Sequence, residues 1–218
     1  MPSPETPTGK QLRAQIRKRI RAQRRELSTA ARSQAAAGLV ARVPRIKAFS
    51  GARTIAAYLP FDGEIDLRPL IQAGIQAGKR FCLPTIDRRL PGVMQFCRFD
   101  QSTILLQNRW GIPEPQRRST VQLPLRQIDV VLLPLVAFDL TGNRLGMGAG
   151  YYDRLLQRRS IRSWRRPVLI GVAFELQKTD RLIAAPWDIA LDWVVTEKQI
   201  YRMRSTLKHS PSGEGMTT

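Results

Sequence analysis

The chain has 218 residues, of which 43% are hydrophobic and 24% charged, as is ordinary for a globular protein. Lysine and arginine total 36 against 17 aspartate and glutamate residues, which gives a formal net charge of +19. This excess indicates polyanionic partners, such as nucleic acid, an anionic membrane or a phosphate-rich small molecule. No apolar run approaches the roughly 18 residues that cross a bilayer. The N-terminal segment also lacks the apolar core of a signal peptide, so we expect a cytoplasmic protein.

The two cysteines and the single histidine exclude several kinds of site. Cys82 and Cys97 lack the CxxC spacing of zinc ribbons and thioredoxin-type sites, and we expect both to be buried and reduced. His209 lies in a polar C-terminal segment, which argues against a Ser-His-Asp or Cys-His catalyst and against imidazole metal ligands. Any metal would be held by carboxylates, and carboxylates favour Mg²⁺.

Chain organisation predicts one domain between two flexible tails. The tails are residues 1–9 and 208–218, which are rich in proline or in small polar residues, and the domain is residues 10–207. The domain opens with a basic helix over Lys10–Arg25, whose apolar positions share one face while arginines fill the rest. Ser28 then caps a second helix, predicted for residues 29–42.

Short apolar runs alternate with helical segments from residue 53 onward. The predicted elements are a strand Thr54–Leu59, a helix Leu70–Gln76 capped by Asp66 and ended at Gly78, and the strands Phe81–Leu83, Val93–Phe99, Asp129–Leu133, Val168–Phe174 and Trp193–Thr196. Val93–Phe99 alternates as an exposed strand does, whereas the other strands are continuously apolar. Such strands separated by helices indicate a mainly parallel sheet covered on both faces. Ligands of these sheets bind beyond the carboxyl ends of the strands, which directs attention to residues 60–66 and 134–153.

The segment RLGMGAGYYD, Arg144–Asp153, contains the largest group of candidate functional residues. Its glycines at positions 146, 148 and 150 stand directly before a helical pattern. Glycine allows the backbone to approach an anion closely, and a helix N-terminus favours phosphate. Arg144 could add a bidentate phosphate contact, and Asp153 an oxygen ligand for Mg²⁺. The spacing is neither a Walker A loop nor GxGxxG, so a turn that only packs strand against helix stays an alternative.

Three further side chains are candidates, each with a plainer alternative. Glu64 follows the first strand at the same sheet edge as the glycines, where it could bind the N–H groups of a heterocycle or serve as a solvated turn acid. Trp110, in WGIPEP, could stack on a flat ligand or anchor its loop in the core. Asp192 could form a carboxylate pair with Asp153 or be a surface cap.

Basic residues concentrate in the first helix and in a second run, residues 154–166. Such runs are typical of solvated helix faces, but they also lie along polyphosphate or RNA backbones. Aromatic residues interleave poorly with either run, so a stacking platform for single strands is not expected.

Taken together, these segments resemble the 5-formyltetrahydrofolate cyclo-ligase family, also called methenyltetrahydrofolate synthetase. The resemblance runs from about Leu12 to Tyr201 and rests on PLVAFDLTGN followed by RLGMGAGYYD, with LPFDGEIDLRPLI, WGIPEP and DWVVTEKQIY in support. It implies a single three-layer α/β domain with a central, mainly parallel sheet (NagB/RpiA/CoA-transferase-like), preceded by a basic N-terminal helix. It also implies an ATP- and Mg²⁺-dependent reaction that converts 5-formyltetrahydrofolate to 5,10-methenyltetrahydrofolate, ADP and phosphate.

The resemblance also implies roles for individual residues. Arg144 and Tyr151 would act in catalysis, and Asp153 and Asp192 would hold Mg²⁺. Leu59, Glu64, Trp110 and Tyr151 would bind the folate. The implied ATP-binding residues are Lys10, Arg13, Arg144, Leu145, Gly146, Met147, Gly148, Ala149, Gly150, Tyr151 and Tyr152. The lysine of the family's N-terminal K-x-x-L-R motif falls at Gly9, so Lys10 is displaced by one position while Arg13 matches.

The implied partners are ATP and 5-formyltetrahydrofolate, with or without a polyglutamate tail, for a monomer that needs no membrane or nucleic acid. Two other classes stay open. A nucleic-acid-binding protein on a related scaffold would bind with an affinity that falls steeply with salt. A sugar-phosphate isomerase would hold one phosphate on the glycine loop and would turn over no ATP.

Overall fold

The computed structural model describes residues 8–87, 89–90, 92–117, 120–160 and 167–203, with only the backbone at 158–160. The helices are α1 (Gly9–Glu26), α2 (Thr29–Arg42), α3 (Lys47–Ser50), α4 (Arg68–Gln76) and α5 (Tyr151–Ser160). The strands are β1 (Thr54–Ala56), β2 (Arg80–Ile86), β3 (Met94–Phe99), β4 (Leu105–Gln107), β5 (Pro113–Pro115), β6 (Gln122–Leu123), β7 (Val130–Pro134), β8 (Ala137–Phe138), β9 (Arg144–Leu145), β10 (Val168–Val172), β11 (Trp193–Val195) and β12 (Ile200–Arg202). Short 3₁₀ turns occupy Val43–Arg45, Leu125–Gln127 and Glu175–Gln177. Residues 1–7 and the predicted C-terminal tail, with His209, lie outside the described residues.

An eight-stranded sheet forms the centre of the fold, in the order β12-β11-β10-β7-β1-β2-β3-β6. The five strands from β11 to β2 run parallel. On one edge β12 pairs antiparallel with β11, and on the other β3 pairs antiparallel with β2 and β6 pairs antiparallel with β3. The predicted mixed α/β fold with a mainly parallel central sheet is therefore confirmed. Two small antiparallel ladders, β4–β5 and β8–β9, lie outside the main sheet.

Apolar clusters cover both faces of the sheet, as continuously apolar strands require. Ile55 of β1 packs in one cluster with residues of α2 and α4, such as Leu39 and Leu70. The next residue, Ala56, packs in the second cluster with Leu156 of α5. Because neighbouring residues of a strand point to opposite faces, the sheet is the middle layer between two layers of helices.

The helix starts follow their capping residues. Thr8 caps α1 and forms a capping box with Gln11, so the helix begins one residue before its predicted start. Ser28 caps α2 through the Ala31 N–H, as predicted. The fourth helix begins at Arg68, and its N-cap position is Leu67, which has no side-chain capping bond, rather than the predicted Asp66. Asp66 lies one residue earlier and accepts a hydrogen bond from the Arg68 N–H at 2.9 Å.

The burial of β3 differs from the prediction, whereas the burial of the two cysteines agrees with it. The strand predicted as exposed, β3, buries Met94, Phe96 and Cys97, because it is covered by the second apolar cluster and is paired on both sides. Cys82 and Cys97 are both buried and free, as expected. Within the described ranges, no helix combines the length and apolarity that a membrane span requires.

The topology brings two loops to one edge of the sheet. Strands β1 and β7 are parallel neighbours, so the chain leaves both at the same edge. Residues 57–67 follow β1, and residues 135–150, which include β8 and β9, follow β7. These are the two regions in which the sequence places its candidate residues.

Candidate functional site

The glycine loop, residues 146–150, connects β9 to the N-terminus of α5. Gly148 and Gly150 have φ values of +107° and +66°, in the region that favours glycine. Residues 147–149 are exposed, and α5 starts immediately afterwards at Tyr151. The first N–H groups of a helix lack intrahelical acceptors, so this loop has the form of an anion site.

Two arginines hold the carbonyl groups of the glycine loop. Arg17 of α1 donates from Nε to the Gly146 oxygen at 2.8 Å, and Arg154 of α5 donates from Nη2 to the Ala149 oxygen at 2.7 Å. Burial, together with the neighbouring Arg13, lowers the pKa of Arg17 from its ordinary value. These guanidinium groups place positive charge beside the loop.

Four arginines at helical spacing form one face of α1, which we call the arginine face: Arg13, Arg17, Arg21 and Arg24. Arg13 donates to Asp188 at 2.8 Å, and Arg21 donates to Asp62 at 2.6 Å. Residues spaced by three or four positions share one side of a helix. The arginine face therefore contacts the glycine loop through Arg17 and the loop after β1 through its C-terminal half, rather than lying in solvent.

The acidic turn, residues 62–64, is held from the helical layer. Asp62 has a φ of +50° and is, among the residues that the structure describes, the one non-glycine residue with positive φ. Arg21, Arg24 and Arg25 all donate hydrogen bonds to it. Burial alone would raise the pKa of Asp62, but the hydrogen bonds from Arg21 and Arg25 hold it below its ordinary value. These bonds stabilise a backbone conformation that otherwise costs energy.

Glu64, the last residue of the acidic turn, lies in a buried environment. Burial raises its pKa to about 7, against the opposing effects of Arg24 and of the Phe61 N–H, which donates to Oε2 at 3.1 Å. Burial also raises the pKa values of the nearby Tyr58 and Tyr152, and the Glu64 carboxylate adds to both shifts. The structure thus excludes the interpretation of Glu64 as a solvated turn acid. The residue keeps partial exposure, and burial of its carboxyl group makes it a weaker acid than a solvated glutamate.

An aromatic pair lies beside the start of α5. The rings of Trp110 and Tyr151 meet edge to face, with centroids 6.0 Å apart at an angle of 78°. Arg109 stacks on Trp110 at 4.0 Å and donates to the Tyr151 hydroxyl at 3.3 Å. Trp110 is 38% exposed, so it does not anchor its loop in the core. The pair places two aromatic rings, set nearly perpendicular to each other, beside the start of the helix that follows the glycine loop.

Arg144 has a different position from the one that phosphate contact would require. It is only 6% exposed, and its guanidinium donates to the Ile189 carbonyl and to the Asp153 carboxylate. Asp153 also accepts from the Ile189 N–H at 3.5 Å. Arg144 therefore links the first turn of α5 to the segment around residue 189 and stabilises the loop from its buried side. Its Nη1 and Nη2 atoms are occupied by protein acceptors.

The two predicted metal ligands have separate protein partners. The Asp192 carboxylate accepts from the Leu169 N–H of β10 at 2.7 Å, whereas Asp153 is bound by Arg144 and its side chain is 21% exposed. Within the described part of the chain, no three histidine, cysteine, aspartate or glutamate side chains gather into a metal-binding group. Carboxylates are suitable Mg²⁺ ligands, and a Mg²⁺ carried by ATP needs only one or two of them. Asp153, beside the glycine loop, fits that requirement better than Asp192.

Comparison with known proteins identifies the family. The model of the 5-formyltetrahydrofolate cyclo-ligase family matches residues 9–197. The chain belongs to the 5-formyltetrahydrofolate cyclo-ligase family. Two cyclo-ligases, from Escherichia coli K12 and Haemophilus influenzae, are 38% and 36% identical to it over 85% and 83% of this chain and 98% and 95% of theirs.

Solved structures of similar proteins have the same fold. The NMR structure of the Aquifex aeolicus 5,10-methenyltetrahydrofolate synthetase superposes with a TM-score of 0.76 at 30% identity, covering 95% of this chain and 97% of that one. The synthetase from Mycoplasma pneumoniae gives a TM-score of 0.67 at 27% identity, with 85% and 98% coverage. The fold of this cyclo-ligase family member is thus that of solved synthetases along nearly its whole length.

The structure of this cyclo-ligase family member groups most of the residues that the sequence singles out. Residues 146–151 lie together with Trp110, and Glu64 lies close to Tyr152 across the sheet edge. Leu59 packs against the core beside the acidic turn, and Lys10 is exposed on the first turn of α1. The Leu145 side chain is buried with Ala137 and Leu182, so only its backbone can face a ligand.

Other residues of the site were not found by sequence reasoning. Arg17, Arg21 and Arg24 were assigned to a general basic surface, although their spacing with Arg13 indicates a common face. The only available signal was that periodicity. Asp188, which binds Arg13 and caps its own turn through the Ala185 N–H, carries no signal in the sequence because its partner is 175 positions away.

Proposed function

We propose that this cyclo-ligase family member converts 5-formyltetrahydrofolate to 5,10-methenyltetrahydrofolate and consumes one ATP in each turnover. In this proposal the glycine loop binds the ATP phosphates and the pocket around Glu64 binds the pteridine. Both the match to the family and the form of the two loops support the proposal. The exposed, positively charged glycine loop suits a polyphosphate, and a buried carboxylate suits the N–H groups of a heterocycle.

One observation carries the proposal: α1 contacts both loops with the same face. Arg17 binds the glycine loop at Gly146, and Arg24 binds the acidic turn at Asp62. Seven residues of helix span about 10 Å, so the two loops lie near enough to each other to form one site. An isomerase that holds a single phosphate would have no use for the second loop in this arrangement.

The proposed chemistry has two steps. The formyl oxygen attacks the γ-phosphorus of ATP, an O–P bond forms, and ADP leaves with the electrons of the broken bond. N10 of the same folate then attacks the formyl carbon and loses its proton, and the C–O bond to phosphate breaks as the ring closes. Each step depends on position and on neutralised phosphate charge more than on a strong base.

The residues of the chain supply that positioning. Backbone N–H groups of residues 146–150 and the Arg17 guanidinium would bind phosphate oxygens, and the Trp110–Tyr151 pair would bound the space between the substrates. Arg144 would keep the loop and α5 in register from its buried position. Mg²⁺, if held with ATP beside Asp153, would neutralise phosphate charge; Asp192, which accepts from the Leu169 N–H through Oδ2, would contribute through its other carboxylate oxygen.

The proposal also covers the substrates' charge, the cellular compartment and the oligomeric state. ATP and folate are both polyanions, and a polyglutamate tail on the folate would add further negative charge, which the basic surface would attract. The two buried free cysteines fit a reducing compartment, which supports a cytoplasmic location. A monomer suffices, since both loops belong to one chain.

The test is the near-ultraviolet absorbance of a mixture of the protein, 5-formyltetrahydrofolate and Mg²⁺, with and without ATP. The methenyl product has a conjugated amidinium that the substrate lacks, so absorbance should rise only when ATP is present. A folded protein that gives no rise with ATP would contradict the proposal, and salt-dependent binding to RNA would then favour the nucleic-acid class.

A further inference from the structure

Arg24 is a fully buried arginine with unused donors. Its side chain has 0% exposure. Nη2 donates to the Asp62 carbonyl at 2.7 Å and to the Asp62 carboxylate at 3.1 Å. Within the described part of the chain, its Nε and Nη1 atoms are buried and have no hydrogen-bond partner. A buried guanidinium with two unpaired nitrogens is unfavourable, so its environment should supply an acceptor in the working state of the protein.

A protein group is a better candidate for this acceptor than a ligand is. Both unpaired nitrogens are buried, so open solvent does not supply their acceptor. Asp62 already binds Nη2 and two other arginines. Glu64 is the remaining carboxylate of the turn, and after burial the charge of Arg24 is the largest influence on its pKa. Because Glu64 follows Asp62 by two residues in the turn that Arg24 contacts, its carboxylate is the candidate acceptor.

We propose that Arg24 is a positioning residue of the folate pocket, which holds the Glu64 carboxylate ionised and oriented through its Nε and Nη1 donors. The inference rests on the proposed function, because it assumes that Glu64 accepts hydrogen bonds from the substrate. An ionised carboxylate accepts hydrogen bonds at both oxygens without having to donate, so it can bind N–H groups of the substrate and a guanidinium at the same time. Arg24 acts through Glu64 and touches no reacting atom.

The proposal has a consequence for pH. The groups that act on Glu64 or on which it acts are Arg24 from α1, Asp62 within the turn, Tyr58 after β1 and Tyr152 from α5. Of these, only Arg24 favours the charged form of Glu64 while the others are neutral phenols or a carboxylate. Removal of its charge should therefore raise the pH at which Glu64 ionises by about one unit or more.

The first test measures that titration directly, without substrate. ¹³C NMR of carboxyl-labelled glutamate follows Glu64, assigned with Glu64→Gln, in the wild type, Arg24→Gln and Arg24→Lys. We expect the Glu64 midpoint to rise by about one pH unit in Arg24→Gln and much less in Arg24→Lys, which keeps the charge. The matched control is Arg25→Gln, which also binds Asp62 but lies on the exposed side of the helix; its midpoint should stay near that of the wild type.

A second measurement keeps the proposal testable if Arg24→Gln does not fold. In the ¹⁵N-labelled wild type, the Arg24 Nε–H resonance should shift with the same midpoint as the Glu64 carboxyl, and this shift should disappear in Glu64→Gln. An Arg24 resonance that does not sense Glu64, or equal Glu64 midpoints in Arg24→Gln and Arg25→Gln, would overturn the proposal.

Kinetics then connect the pair to folate. The acidic limb of kcat/KM for 5-formyltetrahydrofolate should move to higher pH in Arg24→Gln, so that the loss is about tenfold near pH 6 and smaller near pH 8. A purely structural role would lower the rate equally at all pH values and would overturn the proposal. If the wild type had no ligase activity, the proposed function would fail, while the NMR titrations would still decide whether Arg24 controls Glu64.

Discussion

At the scale of single residues, the site combines a glutamate whose pKa is raised with arginines that are largely enclosed. Glu64 is raised to a pKa of about 7 by burial, and it lies between two phenols and a guanidinium. A sequence shows that an acid follows a strand, but it does not show how much of the surrounding chain covers that acid. The burial of Glu64 depends on α1 and α5, which are distant from it in sequence, and for that reason its character could not be predicted.

Glu64→Gln should impair folate use and spare ATP binding. Glutamine keeps the size of the side chain but removes a charged acceptor worth about 1.5–3 kcal/mol, so kcat/KM for 5-formyltetrahydrofolate should fall about 10- to 100-fold. The ATP dissociation constant, measured by calorimetry, should change less than about twofold. Asp66→Asn is the control, because Asp66 binds the exposed Arg68 two residues away. Folate kinetics that are equal in Glu64→Gln and the control would remove Glu64 from the site.

Arg17→Ala should weaken ATP binding. The substitution removes both the hydrogen bond to the Gly146 carbonyl and a positive charge beside the glycine loop, so the ATP dissociation constant should rise about tenfold. Arg19→Ala, an exposed position on the same helix, removes the same charge elsewhere and should change ATP binding by less than about twofold. Equal effects of the two substitutions would indicate general electrostatic attraction and would contradict the role given to Arg17.

At the scale of elements, α1 connects parts of the chain that are far apart in sequence. Its extent could be predicted to within one residue at each end, since helical composition is a local signal. Its cap was not predicted, because Thr8 and Gly9 fall in the segment that the sequence assigns to a flexible tail. The side that faces the protein could be predicted only in part. Ile20 is buried as expected, but Arg24 is buried as well, because the acidic turn presents Asp62 to it. An arginine-rich face is usually solvated, and only the tertiary partner changes that expectation.

Asp62→Asn should loosen the connection between α1 and the acidic turn. The side chain is 7% exposed and accepts from three arginines, of which Arg21 and Arg25 are partly solvated, so the loss at pH 7 should be about 1–2 kcal/mol in the free energy of unfolding. Asparagine also tolerates positive φ, so backbone strain should change little.

The pH dependence of that loss follows from the lowered pKa of Asp62. Its carboxylate stabilises the folded state above the ordinary value of 3.8, and this contribution is lost as the pH falls through the lower folded pKa. Urea unfolding from pH 7 down to pH 3 should show the two proteins converging at the acid end. Asp180→Asn, at an exposed position, is the control and should cost less than about 0.5 kcal/mol. A constant difference at all pH values would contradict the ionic connection.

At the scale of the whole molecule, the parallel sheet and its two covered faces could be predicted from the apolar runs alone, because buried parallel strands have a distinctive composition. The antiparallel edges were harder to predict from the sequence, because β6 and β12 are too short to show a clear pattern. The high net charge also receives a partial explanation. Several arginines of α1 and α2 bind acidic or carbonyl groups of the loops, including Arg32 at the Gly63 carbonyl. Part of the excess positive charge therefore stabilises the fold.

The adjacency of the two loops is the central claim at this scale. In the proposed function both substrates occupy this one site, and the formyl oxygen itself takes the phosphoryl group. Because β1 and β7 are neighbours and α1 spans both loops, the two loops need no domain movement to meet.

The most direct test follows the formyl oxygen. 5-Formyltetrahydrofolate labelled with ¹⁸O in the formyl group is converted in unlabelled water with ATP, and the released phosphate is analysed by mass spectrometry. The account predicts one ¹⁸O atom in each phosphate and an equal amount of ADP. Unlabelled phosphate, with methenyl product still formed, would mean that ATP is hydrolysed by water at a separate step, and it would contradict a single site in which ATP and folate react with each other.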